Sequence, residues 1–226
     1  MRSGTGGGML SLAQWLLRPR QPDPREGTDY PWLRVSLLSC VCTLLYGTAM
    51  GMFSAVGHGR WLQLPMSAVK VPLLLFVSAA LALPSFYAVN VLLGLREDFR
   101  AALQSLLLGQ ATLSLALVSL SPLTLFFYAI SANYSVALIV NGLVFAVAGL
   151  ASHLQVRRAY THLIARDRRH RWLLRAWLSI FMLIAIQMAW VLRPFVGKPH
   201  TPLRFFREHA WTNAYVEMFA LIGRVL

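Results

Sequence analysis

Long apolar runs separated by short polar stretches dominate the chain. An α-helix needs about 20 predominantly apolar residues to cross the ~30 Å hydrocarbon core of a bilayer. Runs of about this length occupy residues 35–56, 71–93, 101–120, 136–154 and 176–192. The pattern therefore predicts an all-α fold, a polytopic transmembrane helix bundle of five spans.

Three prolines affect the predicted bounds of the second and third spans. Pro72 is expected in the first turn of the second span, where its missing N–H costs nothing. Pro84 is expected to kink that helix and to free a backbone carbonyl. Residues 123–130 follow Pro122 and are apolar. They either extend the third span past a proline kink or form a re-entrant segment.

The two ends of the chain differ from the bundle in their pattern. Residues 1–31 are predicted to form a cytoplasmic segment with a short interfacial helix at 9–17, and Met9 is a second candidate start. The transmembrane bundle covers residues 32–192. Residues 193–226 are predicted to form an external tail, because apolar side chains recur in it at the spacing of an amphipathic helix.

Composition narrows the class of protein. Of the 226 residues, 57% are hydrophobic and 13% are charged, with a mean hydropathy of +0.58. An average soluble domain has about 25% charged residues. The chain therefore has too little charge to cover a water-facing surface, which excludes an ordinary soluble domain, a disordered chain and a disulfide scaffold.

The net charge of +13 is the next constraint. In a soluble protein it would suggest nucleic-acid binding, but in a membrane protein it fits retention of Lys and Arg on the cytoplasmic side. With the N-terminus inside, the inner side has twice as many Lys and Arg residues as the outer side. We therefore expect a multi-pass protein of the cell inner membrane with its N-terminus inside, and no nucleic-acid partner.

The acidic residues all lie outside the five runs. They are Asp23, Glu26, Asp29, Glu97, Asp98, Asp167, Glu208 and Glu217. Ion-coupled transporters usually place an ionisable residue at membrane depth, and two-carboxylate enzymes need a pair of acids in the site. His153, at the end of the fourth run, has no Gly-x-Ser-x-Gly motif beside it. We expect no enzyme activity and no cofactor or metal site.

A basic connection at residues 155–175 is the sharpest positive feature. Its candidate binding residues are Arg157, Arg158, Arg166, Arg168, Arg169 and Arg171. Val156, Tyr160, Leu163 and Ile164 fall near one face at helical spacing. A basic helix with an apolar stripe beside a membrane is typical of segments that bind anionic lipid headgroups. The alternative is a topology signal that only stops translocation.

Small residues at a spacing of four occur in two of the runs. Gly47 and Gly51 form a G-x-x-x-G motif in the first, and Gly142 and Ala146 form a similar pair in the fourth. Such residues let helix backbones approach closely. Packing within the chain is the favoured interpretation, and homodimerisation is the alternative.

Polar side chains inside the runs have two interpretations. Asn90, Gln110 and Asn141 either hydrogen-bond between helices or line a path for a small neutral solute. Basic residues on the outer side would indicate an anion site if they cluster. These residues are His58, Arg60, Lys70, Arg193 and Arg207.

Two sequence motifs carry a resemblance to known proteins. The first is KVPLLL at 70–75 followed by PSFYAVNVLLG at 84–94, and the second is WVLRPFVG at 190–197. They resemble segments of uncharacterised bacterial polytopic inner-membrane proteins, and that resemblance implies no catalytic residues. Five spans with the N-terminus inside are also similar to the layout of Yip-type membrane-trafficking proteins.

These observations lead to two hypotheses of function. The first is a non-enzymatic membrane scaffold or accessory subunit whose basic connection binds anionic lipid or an acidic partner, with a protein partner or a second copy of the chain. The second is a transporter or channel for a small neutral or anionic solute. A water-filled cavity reaching Asn90, Gln110 and Asn141 would favour transport.

Overall fold

The structure is a computed structural model that describes residues 32–197 together with 205 and 206. Within them the chain forms five long helices and one 3-10 turn at Arg96–Asp98. The helices are α1 (Trp32–His58), α2 (Gln63–Leu92), α3 (Phe99–Ile130), α4 (Tyr134–Arg166) and α5 (Arg169–Val191). All five are long and apolar enough to cross a membrane. This confirms the all-α prediction and fits a multi-pass integral membrane protein.

The helix ends gather at two ends of the bundle, because short connections join consecutive helices. We name one the arginine end: it holds the start of α1, the α2–α3 connection and the α4–α5 turn. We name the other the lysine end: it holds the α1–α2 and α3–α4 connections and the last residues of α5. Which end faces the cytoplasm stays a prediction.

Helix packing follows a simple order. α1 packs against both α2 and α3, α3 packs against α4, and α2 packs against α5. Near the lysine end the core includes Tyr46, Val71 and Leu117. Near the arginine end it includes Phe86 and Trp177, whose ring centroids are 4.8 Å apart in an edge-to-face arrangement.

Large apolar side chains also cover the outside of the bundle. On α4, the side chains of Leu143, Val147 and Leu150 are all more than half exposed. Exposed apolar patches of this kind mark surfaces that contact other apolar matter. In a helix long enough to span a bilayer, this face is the one that meets lipid.

The second helix begins earlier than the apolar run indicated. It starts at Gln63 instead of residue 71, so Pro65, not Pro72, lies in the first turn. Proline is well tolerated there because the N–H groups of the first turn have no partner within the helix. Lys70 is consequently inside the helix and not in a connection.

The third helix settles the question raised by Pro122. α3 continues through this proline to Ile130, so residues 123–130 extend the third span and are not a re-entrant segment. Tyr128 lies on this extension, and its hydroxyl oxygen accepts a hydrogen bond from the amide nitrogen of Asn141.

The basic connection is not a separate element. Residues 155–166 are the end of α4, and residues 169–175 are the start of α5. With 33 residues, α4 is about 50 Å long at 1.5 Å per residue, well beyond the ~30 Å hydrocarbon core. The helix therefore extends beyond the apolar run at 136–154 from which the fourth span was predicted.

Two predicted segments lie outside the described residues. These are the interfacial helix at 9–17 and the amphipathic helix of the tail. The first residues of the predicted tail are described, and Val196 is packed into the core at the lysine end. That part of the tail belongs to the bundle.

Candidate functional site

The α4–α5 turn and its flanking residues 155–175 form what we call the arginine hairpin. Its six predicted binding residues are all exposed: Arg157, Arg158, Arg166, Arg168, Arg169 and Arg171. Arg175 is exposed as well, and its guanidinium carbon lies 5.2 Å from the centroid of the Trp172 ring. The hairpin therefore presents its positive charges outward, where headgroups or solvent can reach them.

The apolar stripe of the hairpin has a different role from the predicted one. Val156, Tyr160 and Leu163 are buried, and they belong to the core cluster that includes Leu173 and Trp177. The apolar stripe therefore packs inside the protein and does not contact the membrane surface. The α4–α5 turn folds α5 back along α2, so these side chains are covered by protein.

Asp98 attaches the hairpin to the α2–α3 connection. Its Oδ1 lies 2.9 Å from a terminal nitrogen of Arg166, and its Oδ2 lies 3.1 Å from Nε2 of His170. Arg169 donates from its guanidinium to the Leu93 carbonyl at 3.2 Å. His170 is fully buried and Asp98 is largely buried, while the Arg166 side chain is 71% exposed.

Positive charge exceeds negative charge at the arginine end. The acids among the described residues are Glu97, Asp98 and Asp167, all at this end. Asp98 is already paired, and Asp167 accepts from the backbone N–H of Arg169 at 2.8 Å. Exposed arginines outside the hairpin add to the excess; they are Arg34, Arg96 and Arg100.

The two pairs of small residues behave differently. A Cβ on Gly47 would lie 2.5 Å from the Ser67 carbonyl oxygen, and one on Gly51 would lie 2.9 Å from Cα of Leu64. This pair therefore brings the backbones of α1 and α2 together. Gly142 has nothing within 4 Å of its Cβ position, and Ala146 is exposed. Packing within the chain is thus wrong for the second pair, which faces outward.

The three amides proposed to line a polar path do not form one group. Asn141 accepts from the Tyr46 hydroxyl at 2.9 Å and donates to the Ala137 carbonyl at 2.7 Å, towards the lysine end. Asn90 lies near the last residue of α2, at the arginine end, and both of its side-chain polar atoms lack a partner within the described chain. The amide nitrogen of Gln110 also lacks one.

A second polar cluster lies at the lysine end, and the sequence reasoning missed most of it. The Nζ atom of Lys70 donates to the Pro194 carbonyl at 2.7 Å. Gln63 donates through Nε2 to the Phe195 carbonyl at 3.3 Å, and the Ser67 hydroxyl donates to the same oxygen. Residues 70 and 194–195 belong to the two motifs quoted above, which therefore meet in space.

The spacing of the three donor residues in the sequence indicates this cluster. Gln63, Ser67 and Lys70 are four and three residues apart, which places them on one face of a helix. Of the basic residues proposed to cluster, Lys70 contacts the residue that follows Arg193. The Arg193 guanidinium carbon lies 4.3 Å from the Trp190 ring centroid. The His58 side chain and Arg207 are outside the description.

Metal and redox chemistry have few candidate groups in the described chain. Within residues 32–197, no three side chains of His, Cys, Asp or Glu lie close enough to hold a metal ion. Cys40 and Cys42 are free thiols, and Cys42 is packed against α3 in a small apolar cluster with Ala111.

Comparison of the chain with known proteins assigns no function to these sites. No family model, no curated protein and no solved structure matches the chain.

Proposed function

We propose that the chain is a non-enzymatic accessory or scaffold protein of the inner membrane, and that its arginine hairpin binds anionic lipid headgroups on the cytoplasmic side. The observation that carries this proposal is the exposure of all six predicted arginines of the arginine hairpin. Each Lys or Arg close to an anionic surface contributes about 1 kcal/mol of attraction.

The length of α4 supports contact with headgroups. A helix of about 50 Å passes through the hydrocarbon core and leaves its last turns in the headgroup layer or beyond it. Arg157 and Arg158 lie on those turns. Long arginine side chains extend towards phosphate oxygens while their carbon stems stay against apolar surface, and a guanidinium binds phosphate through two parallel hydrogen bonds.

Charge balance also supports an anionic partner. Of the three described acids, Asp98 and Asp167 are engaged within the protein. The arginines therefore have few carboxylates of their own to pair with. An acidic protein surface could bind the same arginines. The test therefore distinguishes an anionic lipid from an acidic protein as the partner.

The test measures lipid retention in maltoside micelles by native mass spectrometry. Titration with phosphatidylglycerol should give bound lipid in excess of that seen with phosphatidylcholine. The variant Arg157→Gln, Arg158→Gln, Arg168→Gln, Arg171→Gln removes four charges but leaves the contacts of Arg166 and Arg169 in place. It should bind phosphatidylglycerol at least tenfold more weakly, a loss of about 1.4 kcal/mol.

The matched control removes exposed arginines at the same end but off the hairpin. The variant Arg34→Gln, Arg96→Gln, Arg100→Gln should change phosphatidylglycerol binding less than threefold. Equal losses in both variants would show that general surface charge acts and not the hairpin. Purification of the wild type with a stoichiometric acidic protein and no anionic lipid would also contradict the proposal.

A further inference from the structure

The donors at the lysine end converge on two successive carbonyl groups. Lys70, Ser67 and Gln63 present an ammonium, a hydroxyl and an amide N–H to the carbonyl oxygens of Pro194 and Phe195. All three side chains are at most 1% exposed. They are therefore a built polar pocket inside the bundle and not a surface arrangement.

The pocket holds a positive charge without a described counter-charge. Every acid among the described residues lies at the arginine end, so Lys70 has no carboxylate beside it in that part of the chain. Its Nζ instead meets a neutral carbonyl and lies 5.0 Å from the centroid of the Phe205 ring. Buried charges are usually paired with an opposite charge, because dipoles compensate only part of the lost hydration.

Ser54 provides a second, independent observation. Its side chain is fully buried, and its Oγ has no hydrogen-bond partner within the described chain. That Oγ lies 2.9 Å from the position of a Cβ built on Gly197, so it faces the same segment from α1. The pocket therefore contains a hydroxyl group, that of Ser54, which forms no hydrogen bond with residues 194–197.

We infer that this pocket is a binding site for a small oxyanion, a carboxylate or a phosphate, and that residues 194–197 fill it with carbonyl oxygens when no anion is bound. Two neighbouring carbonyl oxygens occupy the place that two oxygens of an oxyanion take. An anion supplies the negative charge that the carbonyls lack. Gln63 is the first residue of α2, so the positive end of the helix dipole also favours an anion there.

Residues 194–197 and the anion then compete for the same hydrogen-bond donors. Gly197 has a φ of +78° and leaves no room for a side chain, since a Cβ would lie 2.9 Å from Cδ of Gln63. Gly197→Val should therefore displace the segment and expose the donors. Lys70→Gln keeps a hydrogen-bond donor on a side chain one atom shorter and removes the charge.

The experiment measures binding of inorganic phosphate and of acetate to the full chain in maltoside micelles. We expect weak saturable binding to the wild type and at least tenfold tighter binding to Gly197→Val. Adding Lys70→Gln to Gly197→Val should weaken that binding at least tenfold. The matched control is Gly57→Val, because Gly57 also lies near this end but has nothing within 4 Å of its Cβ position; it should bind as the wild type does.

A parallel arm identifies the source of the anion. It replaces the soluble anions with phosphatidylglycerol, and Lys70-dependent binding in this arm alone would make the ligand a lipid phosphate. The inference is overturned if Gly197→Val binds none of the three probes, or if Lys70→Gln leaves that binding unchanged.

A measurement on the wild type guards against misfolding of the valine variant. Hydrogen exchange of the peptide 193–197 should become at least threefold faster when the anion is added, because the anion displaces the segment. The Lys70→Gln protein should show no response to the anion. No change in the wild type at a saturating anion concentration would also overturn the inference. This site is independent of lipid binding at the arginine hairpin, so either proposal can fail alone.

Discussion

Among the described residues, each end of the bundle buries one nitrogen base, and the two are held in different ways. At the arginine end, His170 lies 3.1 Å from a carboxylate oxygen of Asp98. At the lysine end, Lys70 lies 2.7 Å from the carbonyl oxygen of Pro194. The first pair includes its own negative group, although Nδ1 of His170 has no partner among the described residues. The second relies on a neutral acceptor, so another acceptor with a full charge can take its place.

The exposed charges reinforce this difference. The arginine end directs its charges outward, and the largely exposed Arg166 shows that even a paired guanidinium remains accessible there. The lysine end directs Lys70 inward, among Ser67 and Gln63. This difference is consistent with the proposed binding of a broad anionic surface at one end and the inferred binding of a single small anion at the other. Three substitutions test this contrast, beginning with the largest expected effect.

Gly47→Val should disrupt the lysine end most strongly. A Cβ at this position would lie 2.5 Å from the Ser67 carbonyl oxygen, so α1 must move away from α2. We expect a loss of about 3 kcal/mol in the free energy of unfolding, as for overpacking of a tight core. Thermal unfolding in one detergent, followed by circular dichroism, measures it.

Gly142→Val is the control for that substitution, because its Cβ position is open. It should change the free energy of unfolding by less than about 0.5 kcal/mol, as is usual for surface positions. If both variants unfold alike, the close approach of α1 and α2 at Gly47 does not determine stability.

Asp98→Ala should loosen the arginine end by an intermediate amount. It leaves the buried Nε2 of His170 without its acceptor, which costs about 1–3 kcal/mol. The contact with Arg166 adds little, since that side chain is mostly in solvent. Faster hydrogen exchange across the α4–α5 turn would report the loss.

The neighbouring acid Glu97 supplies the comparison for Asp98. Its side chain is exposed, so Glu97→Ala should alter exchange at the turn by less than twofold. A response as large as that of Asp98→Ala would mean that net charge, and not the contact with His170, holds the hairpin.

Ser67→Ala should have the smallest effect of the three. It removes one of the two donors to the Phe195 carbonyl, and one hydrogen bond contributes about 1 kcal/mol. Hydrogen exchange of residues 193–197 should then be about fivefold faster. Ser78→Ala is the matched control on the same helix, because the Ser78 hydroxyl has no partner within the described chain. Equal exchange in the two variants would contradict the docking of this segment on Ser67.

The sequence predicted the helix number well because bilayer thickness sets a minimum length for each apolar run. It predicted the ends of those helices less well. α4 continues past its apolar run because Val156, Tyr160 and Leu163 keep the helical spacing and pack into a core cluster shared with α3 and α5. Periodicity shows that such side chains share a face, but it does not show whether protein or lipid covers that face.

Lys70 illustrates the harder part of the prediction. A lysine beside an apolar run looks like a flanking charge, and the short stretch before it contains Gln63, Pro65 and Ser67. Only contacts with a segment 124 residues later show that it is buried. Gly47 and Gly142 show the same limit of sequence patterns. Each is followed by a small residue four positions later, but Gly47 is packed against α2 and Gly142 faces outward.

The distance in sequence between Lys70 and Pro194 has a consequence for synthesis of the protein. α2 leaves the ribosome long before residue 194 has been made, so during insertion the Lys70 ammonium lacks the carbonyl that later accepts its hydrogen bond. A nascent chain halted after α4 contains every residue of the pocket on α1 and α2 but nothing to fill it. Completion of this end therefore requires that all five helices have been made.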